Sequence, residues 1–532
     1  MTVIQSLAPD LTSERVRQLF NPTSIVLVGA TDKSSWSRAF YSNLVDSKFP
    51  GPVQLVNPRG GEVHGQKAYT SVGELPEPAD LAIVMVPTGA VLGMMEEIAD
   101  AGIRSAVILT SGFGEVGEEG AALEEQLRTI AREREITILG PNGNGFVNVA
   151  AGIMPYGLPL ADEIPSGSIG IVLQSGALAS SVLRQSLVRN AGLSVLVSMG
   201  NESMLSMTDV MEYLVEDDDT KVILLFIESV RNPAKFREVA RRALQAGKPI
   251  VALKVGRSEG GAAVAKAHTG SLVGDDGVID AVFRQTGVIR VDSLEDLMVT
   301  GELLSRTGPF RGRRFAFVTP SGGACEVIAD RAEDEGIEIP AFSPETELRL
   351  REVLPDFANV HNPLDVTGYL LVDNRLLINA LGAVEHDPEI DQIVVMTELP
   401  ADNVNVDRSV HVERLTAQAE FFAGMSKPVI PLATAMIDVT EFGRGLMRDT
   451  GFPGAISGIH HGLTALGHAA NWSEAYWEAQ KPAEVDPADD AAPIELDVRP
   501  GEVFGERRSA ALLAEHGSPV VPSADVSTAD QA

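Results

Sequence analysis

Short runs of Val, Ile and Leu, each closed by a Gly or Pro turn and followed by a longer stretch with helical spacing, recur through most of the chain. In residues 1–155 they are SIVLVGA (24–30), VQLVNP (53–58), LAIVMVP (81–87), SAVILTSG (105–112) and ITILGPNGNGFVN (136–148). Apolar strands of this length alternating with helices predict parallel, doubly wound α/β sheets with helices on both faces. Residues 156–305 repeat the arrangement with IGIVLQ, LSVLVSMG, KVILLFIES, PIVALKVG and GVIRVDS, and residues 309–480 repeat it with RFAFVTPSGG, QIVVMTELP and PVIPLATAM. The run KPAEVDPADDAAP (481–493) reads as a flexible linker. The remaining forty or so residues to position 532 are too few for a domain of their own.

Parallel sheets of this kind hold ligands beyond the carboxyl ends of their strands. In the first segment those ends are Gly29, Ala30 and Thr31; Asn57, Pro58 and Arg59; Val86 and Pro87; Ser111 and Gly112; and Asn142, with Arg38 just beyond the first turn. The first turn, GATDKSSWSR, lacks the GxGxxG spacing, which argues against NAD.

Charge and cysteine content narrow the partners. A formal net charge of −32 argues against nucleic acid and anionic membranes, both of which need a basic face. No apolar run approaches the roughly 20 residues that span a bilayer. Cys325 is the only cysteine, so no internal disulfide can form, and a reducing cytoplasm is expected.

Two segments point to phosphate. SIGIVLQSGALASSVL (168–183) and RFAFVTPSGGACEVIA (314–329) each run from an apolar strand through Ser-Gly into a helix of small residues. Ser175 with Gly176, and Ser321 with Gly322 and Gly323, leave helix amides open to an anion. His268 lies in KAHTGSLVG (266–274), a loop of small residues in which a phosphorylated ring would find amides and hydroxyls. Together they suggest one phosphate carrier visiting two sites.

The ordered series GA…NPRG…VPT…TSGFGE…GPNGNG, QSGALAS, GNES, FIES, LKVGRS…AHTGSLVG, SGGAC and NPLDVTG, spread over residues 20–480, resembles the NDP-forming (ADP-forming) acyl-CoA synthetases, relatives of succinyl-CoA synthetase. The resemblance implies a CoA-binding Rossmann-like domain followed by two flavodoxin-like, succinyl-CoA-synthetase-type domains. It further implies that His268 is the phosphorylated histidine, that Glu228 holds its other ring nitrogen, and that the two Ser-Gly helices cradle the phosphoryl group. ATP would phosphorylate His268, phosphohistidine would pass the group to a small carboxylic acid, and CoA would attack the acyl phosphate to release phosphate. Asn362, Pro363 and Asp365 match a motif of the third domain. Gly143 and Asn144, and the stretch Ser35–Arg38, depart from the family pattern.

ATP/ADP and Mg2+ belong to an ATP-grasp domain. The tail from Phe504 resembles the start of one, with the nucleotide-binding strands expected on a longer polypeptide or a separate subunit of a homo- or hetero-oligomer. Two other readings are a CoA- or acyl-CoA-sensing module without catalysis, and acyl transfer through Cys325 with a lowered thiol pKa. His460, His461 and His468 read as ordinary helix surface rather than a metal site.

Overall fold

A computed structural model describes residues 11–161, 163–258, 260–261, 276–368, 375–401, 406–481, 504–515 and 519–521. Residues 1–481 form one unit and residues 482–532 another, of which the helix Glu506–Glu515 is described. Within the first unit, three sheets follow one another along the chain.

The first sheet comprises β1 (Ile25–Val28), β2 (Val53–Val56), β3 (Glu62–Val63), β4 (Gln66–Tyr69), β5 (Leu81–Val84), β6 (Ser105–Ile108) and β7 (Thr137–Leu139), in the order β3-β4-β2-β1-β5-β6-β7. All its pairings are parallel except the short β3–β4 hairpin. The second holds β8 (Gly145–Asn148), β9 (Ser166–Leu173), β10 (Leu193–Ser198), β11 (Val222–Ile227), β12 (Ile250–Lys254) and β13 (Ile289–Val291), in the order β13-β12-β11-β9-β10-β8. The third is β15-β14-β16-β17, from β14 (Phe315–Thr319), β15 (Leu364–Asp365), β16 (Gln392–Met396) and β17 (Val429–Leu432), all parallel.

The run at residues 136–148, read from sequence as a single strand, divides in two. Gly140 (φ +104°) and Asn142 (φ +59°) turn the chain out of β7, and β8 pairs antiparallel with β10 in the next sheet. An apolar run interrupted by GPNGNG does not itself say which sheet its second half joins.

The two-residue period of β11 explains how the sheets share cores. Ile223, Leu225 and Ile227 point into a cluster containing Ile25, Leu27 and Ile83 of the first sheet, closed by Phe20, Phe146 and Tyr213. Phe20 meets Phe146 edge-on at 5.0 Å and stacks on Tyr213 at 5.2 Å. On the opposite face, Val222, Leu224 and Phe226 join Phe315 and Phe317 of β14 through Leu297, Leu303 and Leu304 of the helix Leu294–Thr307 and Leu463, Leu466 and Trp472 of the helix Ile459–Ala479. A strand buried on both faces must be apolar at every position, as VILLFI is.

Candidate functional site

Each sheet has one place where the chain reverses its direction of winding, and ligands of such sheets bind there, beyond the strand ends. In the first sheet the place lies between β1 and β5, in the second between β9 and β11, and in the third between β14 and β16.

At the first, β1 ends in Gly29–Thr31 and β5 leads to Val86 and Pro87. Gly29 has φ +86°, and a Cβ there would lie 2.8 Å from the Met85 carbonyl oxygen, so only glycine lets these two strand ends approach. Asn57 donates from Nδ2 to the Ala30 carbonyl at 2.8 Å and accepts the Arg59 amide at 2.9 Å, fixing the β2 end beside that of β1. Ser111 accepts from Thr88 Oγ1 at 2.8 Å, and the Asn142 amide donates to the Thr110 carbonyl at 3.1 Å. Pro87, Arg38 and Arg59 are exposed, and Arg38 donates to the Asp32 carbonyl.

Two backbone donors at this edge are already engaged. The Thr31 amide donates to Ser37 Oγ at 2.9 Å, and Ser37 Oγ in turn pairs with His64 Nε2 at 2.8 Å. His64 Nδ1 lies 3.0 Å from Asp32 Oδ1, and burial pulls the His64 pKa below its ordinary value. The Gly112 amide donates to Glu115 Oε1 at 2.5 Å. The Thr31 and Gly112 amides therefore shape the edge, beside which the guanidinium groups of Arg38 and Arg59 are exposed.

At the second place, Ser175 caps the helix Gly176–Arg189 without a side-chain cap bond, so the first-turn amides face outward from the end of β9. A Cβ on Gly176 would fall 2.9 Å from Asn144 Nδ2, which itself donates to the Gly176 carbonyl at 3.0 Å. Glu228, half-buried, follows β11 directly, one residue beyond Ile227, which pairs with Lys254 at the end of β12. Lys254 is buried; desolvation lowers its pKa, while the charges of Asp276 and Glu228 oppose that shift. Arg257 is held by Asp292 at 2.8 Å. His268 lies outside the described residues, on the segment leaving β12.

At the third place, Ser321 accepts the Ala324 amide at 3.4 Å and begins the helix Gly322–Asp334. A Cβ on Gly322 would lie 3.1 Å from Asp365 Oδ2, whereas none would meet any atom within 4 Å at Gly323. Asp365, at the end of β15, accepts the Thr367 amide at 2.7 Å.

Cys325 does not provide the nucleophile considered from sequence. Its side chain is buried, its thiol donates to the Pro363 carbonyl at 3.6 Å, and desolvation pushes its pKa up to about 11. The histidines also differ from expectation: only His460 is exposed. His461 Nδ1 meets Asp296 at 2.7 Å, and His468 pairs with Thr300 at 3.3 Å, its pKa lowered by burial. These two contacts join the helices Ile459–Ala479 and Leu294–Thr307. No cluster of metal-ligating side chains occurs among the described residues. No helix among them is long and apolar enough to cross a membrane.

Sequence reading missed the polar side chains behind these edges. Gln174, just before Ser175, accepts the Glu228 amide at 2.6 Å and the Ser229 amide at 3.0 Å on Oε1, and donates to Glu202 Oε1 at 2.5 Å. Asn201 donates to Glu115 and Glu124 at 2.5 and 3.0 Å. Their signal lay in the motifs QSG, GNES and TSGFGE, whose polar members have no apolar period to explain them.

Residues 23–148 match a CoA binding domain family, and residues 166–304 match a succinyl-CoA ligase like flavodoxin domain. The chain is 32% identical over 468 residues to the alpha subunit of acetate–CoA ligase [ADP-forming] I of Pyrococcus furiosus, covering 87% of this chain and 98% of that one. It is 35% identical over 348 residues to acetate–CoA ligase [ADP-forming] of Methanocaldococcus jannaschii, a match spanning 65% of this chain and 48% of the relative. Among solved structures, an acetyl-coenzyme A synthetase of Ca. Korarchaeum cryptofilum in complex with phosphate and ADP superposes with a TM-score of 0.77 at 29% identity, over 87% of this chain and 98% of that one. Sheet order, strand-end chemistry and these likenesses agree: the chain belongs to the ADP-forming acyl-CoA synthetase family, with a CoA-binding Rossmann-like domain followed by two flavodoxin-like domains of the succinyl-CoA synthetase type.

Proposed function

We propose that the chain is the CoA- and phosphoryl-handling part of a reversible acid–CoA ligase that forms ADP, with His268 as the carrier. The observation that supports this best is the β9/β11 crevice, where a helix start with open amides follows one strand and Glu228 follows its neighbour, the two tied by Gln174. In the direction from thioester, a phosphate oxygen attacks the acyl carbonyl carbon and the C–S bond breaks, releasing CoA. A ring nitrogen of His268 then attacks the phosphorus of the acyl phosphate; the P–O bond to the acyl group breaks and the free acid leaves. Glu228 accepts the N–H of the other ring nitrogen, which fixes the tautomer and stabilises the charge that develops on the ring. The amides at Gly176 and at Gly322–Gly323 stabilise the phosphoryl oxygens. Phosphohistidine finally passes its group to ADP, and ligation is the same path reversed.

The CoA pyrophosphate and ribose phosphate rest at the β1/β5 edge on Arg38 and Arg59, with Asn57, Val86, Pro87, Ser111 and Asn142 forming its walls. Nucleotide and Mg2+, whose charge neutralises the nucleotide phosphates, belong to an ATP-grasp part supplied by another segment or subunit. A small carboxylic acid is the acyl substrate, and the cytoplasm is the compartment.

Incubation of this chain with acetyl-CoA and labelled phosphate is expected to place one acid-labile, base-stable label on His268, while labelled ATP and magnesium alone give none. Label retained in His268→Ala would overturn the assignment.

A further inference from the structure

Gln174 has no role in the scheme above, yet its side chain makes four hydrogen bonds at the β9/β11 crevice. Its Oε1 receives both the Glu228 and the Ser229 amides, at 2.6 and 3.0 Å. Its Nε2 donates to the Ser229 carbonyl at 2.9 Å and to Glu202 Oε1 at 2.5 Å. One side-chain amide thus ties the turn bearing Glu228 to the residue that precedes the Ser175–Gly176 helix start.

Glu202 fixes the other end of that tie. It is 5% exposed, adopts φ +55°, and its second oxygen lies 3.7 Å from Arg231 Nε. Arg231 in turn donates to the Asn201 carbonyl at 2.6 Å. A buried carboxylate in a left-handed backbone conformation costs stability on two counts, and such costs persist where the surroundings fix them for a purpose. An apolar residue at 174 would fill the space but leave two amides at the strand end without an acceptor.

From this geometry we infer that Gln174 and Glu202 act as a pair of positioning residues that set the height and direction of the Glu228 carboxylate relative to the Ser175–Gly176 helix start. The inference rests on the proposed role of Glu228 toward His268. Among the described residues the side-chain hydrogen bonds of Gln174 go to Glu202, Glu228 and Ser229 and to none of the first sheet's strand ends, so its effect is expected on phosphoryl transfer rather than on CoA.

The test is the rate of His268 labelling from labelled phosphate and whichever of acetyl-, propionyl- and butyryl-CoA labels the wild-type chain fastest, together with CoA affinity by calorimetry. Gln174→Leu is expected to slow labelling about 10- to 100-fold, the loss typical of a displaced catalytic group, with the CoA Kd within about twofold of wild type. Gln174→Glu supplies the acceptor but places a carboxylate against Glu202, and slows labelling similarly. The exchange Gln174→Glu with Glu202→Gln restores a donor–acceptor pair between the two positions and recovers most of the Gln174→Glu loss. A purely structural role would weaken CoA binding along with labelling in the single variants.

Wild-type labelling in Gln174→Leu, or an exchange no faster than Gln174→Glu, overturns this inference. Should Gln174→Leu fail to fold, the exchange decides alone. Undiminished labelling in Glu228→Gln, or no wild-type labelling with any of the three thioesters, overturns instead the reading on which it rests.

Discussion

Glu202 is a carboxylate buried behind the crevice, and its titration should be visible in stability. Burial raises its pKa above the ordinary 4.5, partly opposed by Arg231 and Gln174. The folded chain therefore favours its protonated form: that contribution is complete below the unfolded value and is lost as pH rises through the higher folded value. Glu202→Gln mimics the protonated form at every pH. The difference in melting temperature, variant minus wild type, is expected to increase from pH 4.5 to pH 8; a flat or falling difference would contradict the burial argument. Cys325 gives a second prediction. With its thiol pushed up to about 11, little thiolate exists at pH 8, so iodoacetamide should alkylate the native chain about two orders of magnitude more slowly than the unfolded chain. Cys325→Ala should keep His268 labelling. Fast alkylation with loss of labelling would return the cysteine to consideration.

Strands and the turns that end them carry the site, and here the sequence was most readable. Runs such as VILLFI and IVALK are apolar throughout because both faces are covered, and each announced itself as a buried parallel strand. Glycines after β1, β9 and β14 marked strand-to-helix turns for the same reason that they work there: they remove a side chain from a close approach. Less was legible where pairing is short or polar. The β3–β4 hairpin and the two-residue β15 bury too few side chains to show a period. Nor does any local pattern reveal that Gln174, Glu202 and Asn201 meet, because they converge from different strand ends. The Ser37–His64–Asp32 cluster was hidden likewise, because the rest of the helix Ser35–Asp46 and β2 separate His64 from the other two. The strand-end logic can be tested at Gly29. Gly29→Ala puts a Cβ 2.8 Å from the Met85 carbonyl at φ +86°, which should cost about 1–3 kcal/mol in urea denaturation. By prising the β1 end from that of β5 it should also weaken CoA at least tenfold in calorimetry, while Gly323→Ala, with nothing within 4 Å, should leave CoA affinity unchanged.

Three sheets joined by shared cores place the proposed chemistry at strand ends that belong to one folded unit, residues 1–481. The charge of −32 makes this arrangement the more informative: a chain so acidic must meet phosphates with local guanidinium groups and helix amides, because its long-range field repels them. Two truncations separate what that unit needs from what it does not. Ending the chain after Lys481 removes only residues assigned to the second unit, so CoA affinity and the melting temperature of the main transition should stay close to those of the full chain. Ending it after Thr450 removes the helix Ile459–Ala479. Leu463, Leu466, Ala469 and Trp472 would then leave the core shared by β14 and the helix Leu294–Thr307, and the His461–Asp296 and His468–Thr300 contacts would go with them. Each large side chain lost from such a core removes about 1.5–3 kcal/mol of burial, enough in sum to exceed the usual margin of a domain. The shorter chain should therefore lose the cooperative unfolding of its third sheet in calorimetry and expose β14 amides to hydrogen exchange. The first sheet shares its core with the other face of β11, so CoA binding should survive in it. A chain ending at Thr450 that melts like the full one would show that the helix Ile459–Ala479 covers the third sheet without stabilising it.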